Sequence, residues 1–196
     1  MRVSDLSPGS VEPLLRGRLG RPYRFVDACV STQRLLEGDE DEGATVATDL
    51  QTGGRGRLGR TWEAPPRRAL LFSVLLRPTP PMPLWPELSL VAGDAVAVAL
   101  GGETGLAVEL GYPNDVLIGG RKVAGVLPEA SVGRVVLGIG VNVNQTAGEL
   151  PTETPKPATS LRAETGREWP RGPLLAAILL ELEGRYDGWQ SLHTNR

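Results

Sequence analysis

Apolar residues come along this chain in short blocks, and the spacing inside the blocks changes from one to the next. Residues 23–30 read as a strand, after which Ser31 or Thr32 is placed to cap a short helix ending near Gly38, with residues 39–42 as a solvated acidic turn. Residues 44–49 are β-branched enough for a second strand, and residues 69–77 form a nearly unbroken apolar run that suits a buried third one. Five prolines between Pro78 and Pro86 make a rigid connection, and residues 88–100 then carry leucine, valine and alanine at helical spacing. Four short strands follow at 106–110, 116–118, 121–129 and 134–143, with Gly119-Gly120 and Ser131-Val132-Gly133 as hairpin turns. A Pro/Thr-rich loop covers 145–157, and residues 173–186, led by Leu174, Leu175, Ile178, Leu179 and Leu182, form an amphipathic helix.

Sequential hairpins demand antiparallel pairing, so the order of elements predicts an α+β (mixed α/β) fold, a largely antiparallel mixed sheet with helices packed on it. A chain of 196 residues with 40% hydrophobic content suffices for one cored domain. The expected organisation is an irregular segment over 1–22, the domain over 23–190 and a tail over 191–196.

Charge and rare residues narrow the chemistry. A net charge of -2 gives no global attraction to nucleic acid, so anion binding must come from local clusters, and a small anion is the expected partner. Cys29 is the only cysteine, which rules out an internal disulfide and fits a reducing cytoplasm. No export signal is visible, and the apolar stretches are read as broken before about 18 residues, so a cytoplasmic chain with no membrane partner is expected. His193 is the only histidine, which leaves almost no room for histidine bases or His-rich metal sites. Of 21 basic residues only Lys122 and Lys156 are lysines, so Lys122, in an ordered strand, is a choice to explain.

The loop from Asp49 to Trp62 holds Gly53, Gly54, Gly56 and Gly59 with Arg55, Arg57 and Arg60. Glycines let the backbone approach a ligand, and each guanidinium offers a fork of donors for phosphate or carboxylate. Gly54-x-Gly56-x-x-Gly59 formally matches a dinucleotide fingerprint, but Pro65-Pro66 opposes the helix that fingerprint needs, and the nicotinamide reading is rejected. Three further segments add to the loop. Tyr112-Pro113-Asn114-Asp115 ends in an amide and a carboxylate where a strand begins, although a plain turn has the same composition. Lys122 lies on an otherwise apolar strand, where an outward-facing lysine is the bland alternative. Gly138-Ile139-Gly140-Val141-Asn142-Val143-Asn144 alternates small with β-branched residues, leaving room on one face for a flat ligand with the Asn142 amide at its edge, or simply forming an edge strand.

Taken in order, Ser31-Thr32, the run from Gln51 to Trp62, Pro113-Asn114-Asp115, Lys122 to Leu127, Gly138 to Asn144 and Ala158 to Leu161 resemble the catalytic domain of biotin protein ligases, whose fold is related to class II aminoacyl-tRNA synthetases. The resemblance implies that biotin and ATP are substrates with Mg²⁺, that biotinyl-5′-AMP forms, and that a lysine of a biotin carboxyl carrier protein takes the biotinyl group. It implies Lys122 and Arg57 as catalytic. Biotin contacts fall on Ser31, Thr32, Gln33, Gln51, Arg55, Gly56, Arg57 and Lys122. ATP contacts fall on Arg57, Arg60, Trp62, Asn114, Asp115, Lys122 and Asn142, with Asp115 toward Mg²⁺. A homodimer is compatible with it. Neither the family's winged-helix domain nor its C-terminal SH3-like domain is recognised, so no DNA partner is expected.

The chain departs from the family pattern in three places. Gly111-Tyr112 stands where the family usually has Lys-Trp, Val30 where an Asp often precedes Ser-Thr, and Gln33 where an Asn often follows. A lysine restored at Gly111 is expected to lower the ATP requirement. Two other readings stay open, a lipoate- or octanoate-transferring relative and a biotin-binding module without adenylation.

Overall fold

A computed structural model describes residues 3–194. Seven strands form one sheet, β1 (Tyr23–Val26), β2 (Thr45–Thr48), β3 (Ala69–Leu76), β4 (Val108–Gly111), β5 (Asp115–Ile118), β6 (Arg121–Ser131) and β7 (Arg134–Asn142), in the spatial order β1-β2-β3-β7-β6-β5-β4. Only β1 and β2 run parallel and every other pairing is antiparallel, the mixed sheet expected.

The two faces of the sheet differ. Phe72 and Val74 of β3, Leu137, Ile139 and Val141 of β7 and Val126 of β6 point into the main core beneath the helices. Two long helices, α2 (Leu88–Thr104) and α4 (Arg171–Thr194), cover that face and pack on each other. They close with α1 (Pro8–Val11), and α3 (Leu161–Thr165) follows the Pro/Thr-rich loop. Alternate residues, among them Gly125, Gly138 and Gly140, turn to the opposite face, which neither long helix covers and where the Gln33 side chain lies against Gly138.

Several expectations are corrected. The first strand stops at Val26, not residue 30, because its only partner β2 ends opposite it at Thr48. The chain touches that sheet line again only in the single bridge of Cys29 to Gln51. Thr32 does stand at the N-cap position, but the helix is one 3₁₀ turn at Gln33–Leu36 and no side-chain capping bond forms; the Thr32 hydroxyl bonds instead to Ser73 at 2.7 Å. The segment 1–22 is not irregular throughout. It holds α1 and a 3₁₀ turn at Glu12–Leu14, and Leu6, Val11, Leu15 and Leu19 are buried in the core. Met1 and Arg2 lie outside the described residues. The tail placed at 191–196 is instead helix as far as Thr194, with Asn195 and Arg196 outside the described residues. The acidic turn is less solvated than expected, since Glu42 accepts hydrogen bonds from the Tyr186 hydroxyl and the Arg77 amide, both at 2.8 Å.

One more expectation fails. The helical run Met82–Thr104, 23 residues with hydropathy 1.3 over its best window, is long and apolar enough by length and composition to cross a membrane. Half of that window is buried inside the fold. A core helix wedged between a sheet and a second helix needs the same apolar composition.

Candidate active site

The uncovered sheet face forms the floor of a cleft of about 950 Å³. Gly125 and Gly140 are register partners across β6 and β7, as are Leu127 and Gly138. The arginine loop makes one wall, the turn from Tyr112 to Asp115 a second, and the segment from Pro151 to Lys156 a third.

Lys122 reaches this cleft through an irregularity in the sheet. Val116 pairs with Ala124, but its neighbour Leu117 pairs with Lys122, so β6 carries an extra residue at Val123. Strict alternation from Gly125 would send Lys122 toward the helices; the bulge resets the phase. Val123 and Ala124 are consequently both buried in the core, while Lys122 turns into the cleft, its ammonium 5.4 Å from the Trp62 ring centroid. The outward-facing alternative for Lys122 is therefore wrong. Its Nζ lies 2.7 Å from Asp115 Oδ1, and the Lys156 Nζ lies 2.7 Å from Asp115 Oδ2. Burial pushes the Asp115 carboxyl up, but hydrogen bonds from both ammoniums outweigh it and hold the group below its ordinary value.

Asn114 fixes the arginine loop to the sheet. Its Nδ2 donates to the Val126 carbonyl at 2.9 Å and its Oδ1 accepts from Arg57 Nη1 at 3.2 Å, so the guanidinium is held over the Asn-Asp turn. Arg55 pairs with Glu129 of β6 at 2.6 Å, and Arg60 is exposed at the cleft rim. At the far end, Gln51 Oε1 accepts from the Thr32 amide at 2.8 Å and hydroxyl at 3.1 Å. The Gln33 amide donates to the Leu127 carbonyl at 3.1 Å, beneath Gly138.

Of the residues expected here, Thr32, Gln33, Gln51, Arg55, Gly56, Arg57, Arg60, Trp62, Asn114, Asp115, Lys122 and Asn142 all line the cleft. Ser31 does not: it is buried behind the lining at 2% exposure. Asn142 lines the cleft but its amide is spent internally, donating to the Thr159 carbonyl at 3.0 Å and accepting from Gln145 at 2.8 Å. The glycine floor, expected to take a flat ligand directly, carries the Trp62 indole. A β-carbon on Gly140 would come within 2.6 Å of that ring and one on Gly125 within 2.9 Å. The indole N–H has no hydrogen-bond partner. A lysine at Gly111 would require the Leu117 side chain to shift, since a β-carbon there would meet Leu117 Cδ1 at 2.8 Å. The residue that sequence reasoning missed is Lys156. The scarcity of lysine that singled out Lys122 applied to it equally.

Residues 27–145 match the biotin/lipoate A/B protein ligase family. The chain belongs to that family. Over 177 residues this biotin/lipoate ligase-family chain is 36% identical to the bifunctional ligase/repressor BirA of Bacillus spizizenii, covering 86% of this chain and 54% of that protein. It thus spans about half the length of that relative. It is 36% identical over 206 residues to the biotin–(acetyl-CoA-carboxylase) ligase of Mycobacterium tuberculosis, covering 95% of this chain and 74% of that one. The biotin protein ligase of Aquifex aeolicus, solved in complex with biotin and ATP, superposes with a TM-score of 0.77 at 38% identity, over 85% of this chain and 71% of that chain.

The lone cysteine does not join the cleft lining. Burial pushes the Cys29 thiol up, against a smaller opposing effect of its hydrogen bond with Thr48, so little thiolate forms near neutrality.

Proposed function

We propose that this chain activates biotin with ATP and passes the biotinyl group to a lysine of a biotin carboxyl carrier protein, in the cytoplasm. The observation that carries the reading is the convergence of Lys122 on the floor with Arg57, Asn114 and Asp115 on the walls of one cleft lined by paired glycines. The relatives' names and the biotin and ATP bound by the Aquifex protein support it.

In the first step a biotin carboxylate oxygen attacks the α-phosphorus of ATP, the bond to the bridging oxygen of the β-phosphate breaks, and pyrophosphate leaves with that electron pair. Two anions must be brought together, and cations fixed in advance lower that barrier because they need not reorganise as charge moves. Lys122 is assigned to the biotin carboxylate and α-phosphate. Its ammonium acts by charge, not as a nucleophile. Arg57, oriented by Asn114, is assigned to the phosphate, and Trp62 and Arg60 to the nucleotide side. Thr32, Gln33 and Gln51 hold the biotin end. In the second step the carrier lysine's amine attacks the acyl carbon, AMP departs, and the amine loses a proton.

Among the described residues no cluster of three or more His, Cys, Asp or Glu side chains could cage a metal. A single carboxylate completed by substrate phosphates is a donor set that Mg²⁺ accepts, and Asp115, whose two oxygens each face an ammonium at 2.7 Å, would hold the ion once one of those ammoniums has passed to a phosphate. Bound there, Mg²⁺ supplies charge neutralisation to the polyphosphate.

The deciding experiment is biotin-dependent exchange of labelled pyrophosphate into ATP, run beside lipoate and octanoate. Exchange with biotin alone establishes the reading. Exchange with lipoate or octanoate instead would move the chain to the other branch of its family, and no exchange from a protein that still binds biotin would make it a binding module.

A further inference from the structure

The chain has two lysines, and both ammoniums end on the same carboxylate. A tether between the segment from Pro151 to Lys156 and the sheet would need only one of them. Two ammoniums on one carboxylate leave a unit of positive charge in excess, facing the cleft. Substrate phosphate, with several anionic oxygens, can take an ammonium from a carboxylate that has only two.

The two heads lie at different depths. The Lys122 side chain is 25% exposed and stands over the Trp62 ring, on the floor, whereas the Lys156 side chain is 37% exposed and belongs to the outer wall. Lys156 is also held in place by its backbone neighbours. The Lys122 amide donates to the Pro157 carbonyl at 2.7 Å and the Thr159 amide donates to the Lys122 carbonyl at 2.9 Å, so the wall is paired to the strand of the floor lysine. An ammonium on such a wall is preorganised, not recruited from solution.

We propose that Lys156 is a second phosphate-binding residue, which takes the outer phosphates of the nucleotide, those that depart as pyrophosphate, while Lys122 serves the inner one. The assignment rests on the adenylation reading above. It divides the nucleotide between two lysines, with the leaving group at the mouth of the cleft, where pyrophosphate can exit.

The test compares the full chain with Lys156→Met and Lys156→Arg. Pyrophosphate exchange gives KM for ATP and for pyrophosphate, and calorimetric titration gives affinities for biotin, AMP and ATP. Lys156→Met is expected to raise KM for both ATP and pyrophosphate about tenfold while AMP and biotin affinities stay within about twofold, and Lys156→Arg is expected to recover most of the loss. Unchanged ATP and pyrophosphate constants would overturn the assignment. So would an equal loss for AMP and biotin, which is what a purely structural tether predicts. If the unaltered chain shows no biotin-dependent exchange, the adenylation reading fails, and the titrations with ATP and AMP still decide whether Lys156 holds the outer phosphates.

Discussion

Gly125 and Gly140 face each other across β6 and β7, and together they leave the hollow in which the Trp62 indole lies. Neither glycine has a positive φ, so each is needed for space and not for backbone freedom. Gly140→Ala would put a methyl 2.6 Å from the indole. Overpacking a rigid core costs about 1–3 kcal/mol, but this ring borders open space and can swing away. The expected result is a small loss of stability with a large loss of site order: a red-shifted tryptophan emission and ATP affinity reduced about tenfold, set against an unfolding free energy moved by about 1 kcal/mol or less. Unaltered ATP binding would mean that the position of Trp62 is irrelevant to the nucleotide.

Lys122→Ala should reduce biotin-dependent exchange by about 10²–10³-fold, the usual scale for deleting one preorganised charge. The fold should survive. The backbone bonds to Pro157 and Thr159 do not involve the side chain, and Asp115 keeps Lys156. Circular dichroism melting checks the fold, and a variant with normal turnover would remove Lys122 from its role.

Cys29→Ser should leave exchange unchanged. The thiol is half-buried, outside the cleft lining, and shifted away from the thiolate form. An inactive serine variant that folds normally would reopen the transferase alternative.

Asp115 ties stability to pH. Its carboxyl is held below the ordinary value, so it contributes stability above the unfolded pKa, about 3.9, and that contribution disappears as pH falls through the folded value. The stability gap between the unaltered chain and Asp115→Asn should therefore stay level from pH 7 down to about 5 and shrink below about 4. Denaturant titrations at a series of pH values measure it; a gap that closes near pH 6 would contradict the pairing with both lysines.

Arg171, 2% exposed, bonds at once to Asp49 at 2.7 Å and the Ala69 carbonyl at 3.1 Å, and pairs with Asp5 in the N-terminal segment. Removing Arg171 leaves Asp49 with Arg67 at 2.9 Å and the Ser4 hydroxyl at 3.0 Å, so no buried charge is stranded and the cost is that of the lost hydrogen bonds, about 1–3 kcal/mol. Arg171→Met should lose that much in urea unfolding; no measurable loss would mean that the remaining partners compensate Asp49 fully.

The parts of this architecture that a reader could take from the sequence are those coded over short distances. Period-two alternation and glycine turns placed the last four strands close to their observed positions, and the arginine loop and the Asn114-Asp115 turn announced themselves by composition. What escaped depends on contacts between distant residues. Lys156 matters because it meets a carboxylate 41 positions away. The bulge at Val123 leaves no mark in the local pattern, since valine, alanine and glycine in succession suit either phase. The N-terminal segment looked irregular because Pro8, Gly9, Pro13, Gly17 and Gly20 break it up, which hid the four-residue recurrence of Val11, Leu15 and Leu19; the helices they pack against make them core. α3 had a local sign that was passed over, Ser160 accepting from the Ala163 amide as an N-cap.

The backbone pairing between Lys122 and the segment at 157–159 gives the cleft a stiff side and a soft one. Lifting that wall would unzip main-chain bonds from the floor strand and displace the ammonium with them. The tip of the opposite wall is held by an exposed ion pair, Arg55 with Glu129, and by the bond of Arg57 to Asn114, while its base keeps main-chain bonds from Thr52 to Cys29 and from Gly53 to Val30. The ties at the tip cost little to break. On the reading proposed above, the guanidiniums assigned to the substrate therefore sit on the side of the cleft that costs least to open.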